Sequence, residues 1–577
     1  MSKIEAKILI IEKLRSFLHS KKYDMCIISQ QDPHLSEYVS DYYKVREYFS
    51  GFDGSAGTLV VGLDTAILWT DGRYFLQAEA QLEGTGIELY KIGMDGVPKM
   101  EDFIAERIGY SGVVVANSNV ISASKWEEMR EKINLCHSDE WESIWEERPV
   151  IRKSKIWKLC WAEREFSYLE KIKRIREKMS VEGADFYLVS SLDEFSWLFN
   201  LRADDIDYTP VVRGYAIISM STVMIFVDSN EPFQLEGVQI YNYNEIKQVL
   251  SSLKGKLWVD KDRVSALLYN ECKKNLFVLA LSSPITLMKA VKSKKEIDGF
   301  RCANIFDGVV WVRLLMYIEN SLKEGKKITE LSVSKKIREI KESNKDFVTE
   351  SFESIVAYAS NAAIVHYSAT EATNKEILPE SFLLIDSGTH YNWGTTDTTR
   401  TIVCGNLTEE QKKRFTLVLK GMIAVASAEF NNETTGADLD VLARQFLKEE
   451  NLDYLHGTGH GIGSVMSVHE DGVGISPRFV KPIQVGMVCS NEPGFYKEGE
   501  YGIRIENMLL CRRATDESLF FETLTLVPID LQAIDINLLT EKEREWINNF
   551  HRNIKLTLRE YLLESEYLWL ENKYYEI

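Results

Sequence analysis

The apolar run Phe382-Leu383-Leu384-Ile385 leads straight into Asp386, and eleven residues later Asp397 opens a Thr-rich stretch, Thr398 to Val403. A carboxylate at the end of an apolar strand is costly to bury unless something pairs with it. Between the two acids, Tyr391-Asn392-Trp393-Gly394 has the composition of a turn. Pairing the strands about that turn makes Asp386 and Asp397 cross-strand neighbours, with Cβ atoms roughly 4.5–5.5 Å apart. Two carboxylates that close repel unless a cation lies between them. One such pair alone is more often solvent-facing turn chemistry than a site.

The device recurs downstream. A strand from Val485 to Ser490 leads to Glu492, a loop centred on Gly499 reverses the chain, and a strand from Gly502 to Leu509 carries Glu506. Arg504 falls on the same strand face as Glu506 by the two-residue period. It could bind a substrate carboxylate or carbonyl, or hold Glu506 in place, and the second role is favoured. Between the hairpins lies His456-Gly457-Thr458-Gly459-His460-Gly461-Ile462-Gly463, whose glycines let backbone approach a site closely. The segment lacks GK[ST] and fails the G-x-G-x-x-G spacing, which argues against nucleotide binding. Four carboxylates with one neutral imidazole carry a charge of −4, which two divalent cations balance. Oxygen and imidazole ligands without thiolate suit Mn, Co, Fe or Zn. Cys489 is expected in the strand core, and His390, in the hairpin turn, is expected to be exposed.

The chain around this site has 577 residues, 45% apolar and 27% charged, enough for three or four hydrophobic cores. Near the front a pattern occurs twice. Strand Met25 to Ser29, a helical stretch near His34 to Phe49, the turn Gly51 to Gly54 and strands Thr58 to Val61 and Ala66 to Thr70 make the first copy. The second runs from a helix around Glu170 to Met179 through Phe186 to Ser190, then Glu194 to Asn200, to Gly214 to Ser219 and Thr222 to Asp228. A separation of about 160 residues is too long for a solenoid and predicts two similar α/β domains in tandem. Boundaries near 155 and 290 give domains 1–155, 156–290 and 291–577. The last holds six of the nine histidines and ends in a helix opened by a Thr540-x-x-Glu543 capping box, with Trp546, Phe550, Ile554 and Leu558 at four-residue spacing.

A net charge of −18 with no long basic run argues against nucleic acid as a partner. The first residues offer only a four-residue apolar run, Ile8 to Ile11, and Ile4, Ile8, Ile11 and Leu18 follow helical spacing instead. No run of 18 apolar residues predicts a membrane span. Eight scattered cysteines read as reduced thiols, so a cytoplasmic protein is expected.

Taken together, Asp386, Asp397, His460, Glu492 and Glu506, within IDSG, GTTDTTRT, HGTGHGIG, NEPGFY and YGIRIEN, resemble the metal signature of the pita-bread metallopeptidases, in particular the cytosolic X-Pro aminopeptidases (aminopeptidase P). FSGFDGSAGT, WTDGRYFLQA and LDEFSWLFNLR resemble the leading domains of the long form, so the likeness spans essentially the whole chain. It implies an α/β (α+β) architecture of two tandem creatinase-like domains and a pita-bread catalytic domain, a homodimer, and two divalent ions, manganese first. Asp386 would chelate one ion, Asp397 and Glu506 would bridge the pair, and His460 and Glu492 would complete the second. Two such ions about 3.5–4 Å apart can hold a bridging hydroxide against a peptide carbonyl. Glu492 would also shuttle the proton, His469 would donate to the oxyanion, His366 would contact substrate near the scissile bond, and His456 would enclose the penultimate proline. The sequence departs from the family pattern at Ser490-Asn491, where relatives have Thr-Asp, and at Asp471-Gly472, where they have Gly-Pro. The second departure bears on loop rigidity and substrate preference. Rival readings are a prolidase cleaving X-Pro dipeptides, which needs a cationic clamp for the substrate carboxylate; a methionine aminopeptidase, which lacks two large leading domains; and a non-catalytic binding protein, which would have lost ligands.

Overall fold

Short β-branched and aromatic runs bounded by turn residues form β1 (Met25–Ser29), β2 (Thr58–Gly62), β3 (Ala66–Thr70), β4 (Glu88–Lys91), β5 (Val113–Ala116) and β6 (Asn134–His137), hydrogen-bonded in the order β4-β3-β2-β1-β5-β6. β7 (Phe186–Val189), β8 (Gly214–Ser219), β9 (Val223–Val227), β10 (Gln239–Asn242), β11 (Lys256–Val259) and β12 (Phe277–Ala280) repeat that order as β10-β9-β8-β7-β11-β12. Parallel and antiparallel pairs fall at the same places in both sheets, so the expected repeat extends to topology. This is a computed structural model describing residues 3–577. The chain divides into two units, Met1–Ile285 and Thr286–Ile577, and both sheets lie in the first.

Equivalent segments of the two repeats meet. Ala123 N–H donates to Val264 O at 2.9 Å and Ala266 N–H to Ile121 O at 2.8 Å, while Ser122 and Ser265, each an N-cap, bridge antiparallel. The helix expected from His34 to Phe49 is shorter, a 3-10 turn at Asp41–Tyr43 and a helix at Val45–Ser50. Pro33 disfavours helix before it, and Asp32 Oδ1 accepts from the backbone of His34 and Ser36, which spends those N–H groups on a local turn. On the first helix, Lys3–Lys21, the inward stripe is Ile11, Leu14 and Leu18, and Ile4 and Ile8 are 45% and 43% exposed.

In the second unit a 30-residue helix, Lys294–Lys323, starts at a Ser293/Glu296 capping box. Its strands are β13 (Phe347–Glu350), β14 (Ile355–Tyr358), β15 (Phe382–Ser387), β16 (Thr389–Tyr391), β17 (Gly394–Thr395), β18 (Thr398–Val403), β19 (Glu429–Phe430), β20 (Gly459–Gly461), β21 (Glu470–Ile475), β22 (Val488–Asn491), β23 (Gly494–Lys497), β24 (Tyr501–Arg504), β25 (Asn507–Arg513) and β26 (Leu519–Thr523). They form sheets β14-β15-β18, β13-β16-β17, β19-β26-β25-β22-β20-β21 and β23-β24. Helices Glu409–Ala426 and Gly436–Lys448 pack with the large sheet around Val418, Met422, Leu439, Ile475, Cys489 and Leu509. The closing helix Glu541–Leu558 carries the expected capping box, and Phe550, Ile554 and Leu558 point into that same core. Among the described residues no helix is long and apolar enough to cross a membrane, and all eight cysteines are free thiols.

Candidate active site

Asp386 and Asp397 come from one hairpin. Its two-residue turn, Asn392-Trp393, pairs Tyr391 with Gly394 and His390 with Thr395, and the same register pairs Asp386 with Thr399 and Ser387 with Thr398. Asp397 is therefore offset two residues from Asp386 rather than directly opposite it. The side-chain period of two still puts both acids on one face. The second hairpin keeps one register on either side of a two-residue gap, Asn491 against Asn507 and Gly494 against Arg504, which sets Glu492 opposite Glu506. Arg400, wholly buried, locks the hairpins together: its guanidinium donates to the Glu506 carbonyl and to Asn507 Oδ1.

The glycine-rich segment delivers His460 from β20. A Cβ on Gly459 would lie 1.9 Å from the Ser490 carbonyl oxygen, so only glycine permits this approach. His460 Nδ1 donates to Gly461 O at 2.9 Å, which turns Nε2 toward Asp397 Oδ2 at 3.3 Å and Glu492 Oε1 at 3.5 Å, where its proton meets the acids and where, once that proton leaves, its lone pair could meet a cation. Ligand atoms of Asp397, His460 and Glu506 all lie within 4.8 Å of one another.

Arg504 lies under these acids. Its Nη2 donates to Asp386 Oδ2 at 2.7 Å, Nε to Thr399 Oγ1 at 3.2 Å, and Nη1 to Tyr496 OH at 2.9 Å and Val365 O at 3.3 Å. The structural role expected for it is thus played on Asp386 rather than on Glu506, whose Oε2 accepts from Thr399 instead. Tyr496 OH donates in turn to His456 Nε2 at 2.9 Å, because His456 Nδ1 is committed to Gly457 O. A continuous chain therefore links His456 through Tyr496 and Arg504 to Asp386. The Val365 contact ties in the half-buried loop that carries His366. His469 stands edge-on to His460, ring centroids 4.3 Å apart. His390 is buried, against the expectation of exposure: it sits in β16, between β13 and β17, where its Nδ1 meets Thr395 Oγ1.

Burial and mutual repulsion raise the carboxyls of Asp386 and Glu506 above the usual range, and burial lifts Glu492 to about 7. Burial works against a charged His460, yet the hydrogen bond to Asp397 and the charge of Glu492 outweigh it and hold the imidazole at about 9. With Arg504 as the close cation, the raised proton affinity of Asp386, Glu492 and Glu506 reflects a shortage of positive charge around them. Asp386 Oδ1 is buried without a hydrogen-bond partner. An all-oxygen and imidazole set with an orphaned carboxylate oxygen and an Nε2 turned toward the acids fits divalent metal ions.

Three contributors escaped the sequence reading: Thr399, Tyr496 and Ser490. Ser490 Oγ accepts from His460 N–H at 3.0 Å and donates to Glu492 Oε1 at 3.2 Å, so one hydroxyl orients two of the candidate ligand residues. Ser490→Ala is expected to weaken metal binding by about 10–100-fold, as loss of outer-shell partners does. Titration of the metal-stripped variant with Mn2+, followed by calorimetry, checks this.

The comparisons with known proteins agree with this geometry. Residues 298–513 match metallopeptidase family M24 and 517–577 the C-terminal region of peptidase_M24, while 10–146 and 147–296 each match a creatinase/prolidase N-terminal domain. A probable Xaa-Pro aminopeptidase P of Laccaria bicolor is 36% identical over 571 residues, covering 94% of this chain and 89% of its own. Xaa-Pro aminopeptidase 1 of Dictyostelium discoideum is 36% identical, covering 94% and 92%. The crystal structure of X-prolyl aminopeptidase from Caenorhabditis elegans, described as a cytosolic enzyme with a di-nuclear active site, superposes with a TM-score of 0.94 at 30% identity over 99% of this chain and all of that one. With relatives at this identity aligned over nearly their full length, the leading lobes are creatinase-like, the C-terminal domain is a pita-bread domain, and the chain belongs to the Xaa-Pro aminopeptidase P group of M24 metallopeptidases.

Proposed function

We propose that this chain is a metal-dependent aminopeptidase that hydrolyses the bond between an N-terminal residue and a penultimate proline. The observation that carries the reading is the convergence of Asp397, Glu492 and Glu506 on His460, with Asp386 on the same face of the Asp397 hairpin and one of its oxygens buried without a hydrogen-bond partner. These five residues would hold two divalent ions, manganese first. Bound there, such ions supply Lewis acidity and a water activated at neutral pH. Glu492 accepts the proton of the attacking water and passes it to the leaving nitrogen. His469 donates an imidazole N–H to the developing oxyanion, a contribution worth about 10²–10³-fold in turnover for one donor. His366 contacts the substrate beside the scissile bond, and His456 closes on the proline ring, its orientation set by Tyr496. An X-Pro bond lacks the amide N–H that other peptidases grip, so a dedicated pocket is needed.

Arg504 is read as a positioning residue, because Asp386, Thr399, Tyr496 and Val365 already occupy it. That occupancy also weakens the prolidase reading, for which Arg504 would be the nearest cationic clamp. The division into lobes 1–155, 156–290 and 291–577 is proposed with the activity, supported by a separate six-stranded sheet in each leading lobe. A homodimer and a cytoplasmic location complete the reading. The family resemblance supports the dimer, and the C. elegans relative, described as cytosolic, supports the location.

Release of the N-terminal residue from an X-Pro-Y tripeptide by manganese-loaded protein, run beside an X-Pro dipeptide and an X-Ala-Y peptide, tests the proposal. Cleavage of the X-Pro-Y peptide alone is expected. Preference for the dipeptide would move the assignment to prolidase, and no cleavage with two ions bound would make the site a binding platform.

A further inference from the structure

Glu470 follows His469 directly, and it is buried with two lysines that have no part in the chemistry above. Lys292 Nζ pairs with Glu470 Oε1, and Lys289 Nζ stands 3.4 Å from Oε2; all three side chains are almost wholly shielded from water. The lysine segment is itself anchored. Lys292 Nζ donates to Lys289 O at 2.9 Å, Lys292 N–H to Gly486 O at 2.9 Å, and Val291 bridges to Met487, at the start of the chain that leads to Glu492. On the far side of Glu470, Gly472 adopts φ +103°, and a Cβ there would lie 2.8 Å from Ala290 Cβ, so this backbone also rests on the lysine segment. Glu470 pairs with Gly461, the residue after His460, across an irregular step in the β20–β21 ladder.

Burying three charges is rarely the most stable way to fill such a volume, since apolar side chains of similar size do as well or better. What ion pairs add is direction: two lysines on one carboxylate restrict the rotamer of Glu470, the residue next to His469. We propose that the Lys289–Glu470–Lys292 triad is a positioning device that holds His469 at the oxyanion site, with the lysines acting from behind the loop rather than on substrate.

This rests on the role given to His469, and the test separates the two. The triple variant Lys289→Met/Lys292→Met/Glu470→Leu replaces the triad by apolar groups and avoids stranding a buried charge. Its melting temperature and its two bound Mn2+ are expected to match wild type. Amide hydrogen exchange over residues 466–472 is expected to quicken at least 10-fold while residues 488–492 keep their protection. Turnover of X-Pro-Y should fall by about 10²-fold, the cost of a misplacement near 1 Å, with KM changed less than 2-fold. Lys292→Arg, which retains the ion pair, should keep wild-type exchange. Unchanged exchange in the triple variant overturns the proposal, as does a loss of turnover that tracks lost metal or a lowered melting temperature. If wild type cleaves no X-Pro peptide, the catalytic reading fails, and the exchange data still decide whether the triad orders the loop.

Discussion

Asp397→Asn is expected to reduce turnover on X-Pro-Y peptides by on the order of 10³-fold or more, well beyond the 10–100-fold effect of losing an outer-shell partner. The substitution is nearly isosteric, so its effect is electrostatic. Asp397 contributes one of the four negative charges and is the carboxylate nearest His460 Nε2, at 3.3 Å. An amide there offers N–H donors to a cluster assembled to accept. The two states of the protein should respond differently. Without metal, Asp397 adds to the repulsion that raises the carboxyls of Asp386 and Glu506 but also pairs with His460, so the two effects of removing its charge oppose and the melting temperature should change little. With Mn2+ present, stabilisation by ligand binding shrinks with the lost affinity, and the melting temperature should fall below wild type. Metal content by atomic emission, turnover, and melting in EDTA and in Mn2+ make the full test. A variant that keeps two ions and full turnover would refute the assignment of Asp397 as a metal ligand.

How far the sequence carries this site follows from which signals are local. The five proposed ligand positions were legible because Asp386 and Glu492 follow apolar strands, Asp397 opens one and Glu506 falls within one, while His460 stands in a glycine-rich segment between the hairpins. Both hairpin turns were legible from their residues. The register was not: whether Asp386 faces Asp397 or Thr399 depends on how tightly Asn392-Trp393 turns, and composition does not fix that. Thr399, Ser490 and Tyr496 were within reach of the two-residue period, since they lie two, two and four positions from Asp397, Glu492 and Glu492 on the same strand faces. Arg504 shows the limit of that rule. The period placed it on the face of Glu506, but its partner is Asp386, 118 residues away in sequence, and only the packing of one hairpin on another makes that pair. His390 failed for a similar reason, because a turn residue counts as exposed until a strand such as β13 covers it. The tandem lobes were legible in outline because strand order is local in sequence, whereas the shortened helix before Val45 depended on Asp32 capturing backbone N–H groups.

Arg504→Met should produce the largest loss of stability of any single change at the site, and the loss should depend on metal. The guanidinium is 2% exposed and its Nη2 is 2.7 Å from Asp386 Oδ2, so methionine fills part of the volume but leaves a buried carboxylate unpaired. Breaking a buried pair in this way costs about 3–5 kcal/mol. In EDTA the full cost should appear as a lowered midpoint of denaturant unfolding of the second unit. With Mn2+ bound, positive charge returns beside Asp386 and the deficit should narrow. Turnover should stay low even then, because Tyr496 and the Val365 carbonyl lose their common donor, and with them the orientation of His456 and of the loop carrying His366. Arg504→Lys separates charge from shape: a point charge can still meet Asp386, but it cannot span Thr399, Tyr496 and Val365 as a planar fork does. Stability should therefore recover more than turnover in the lysine variant. Equal recovery of both would mean that the chain from His456 to Asp386 carries no positional information, and an Arg504→Met protein as stable as wild type in EDTA would mean that Asp386 is not held as a buried anion at all.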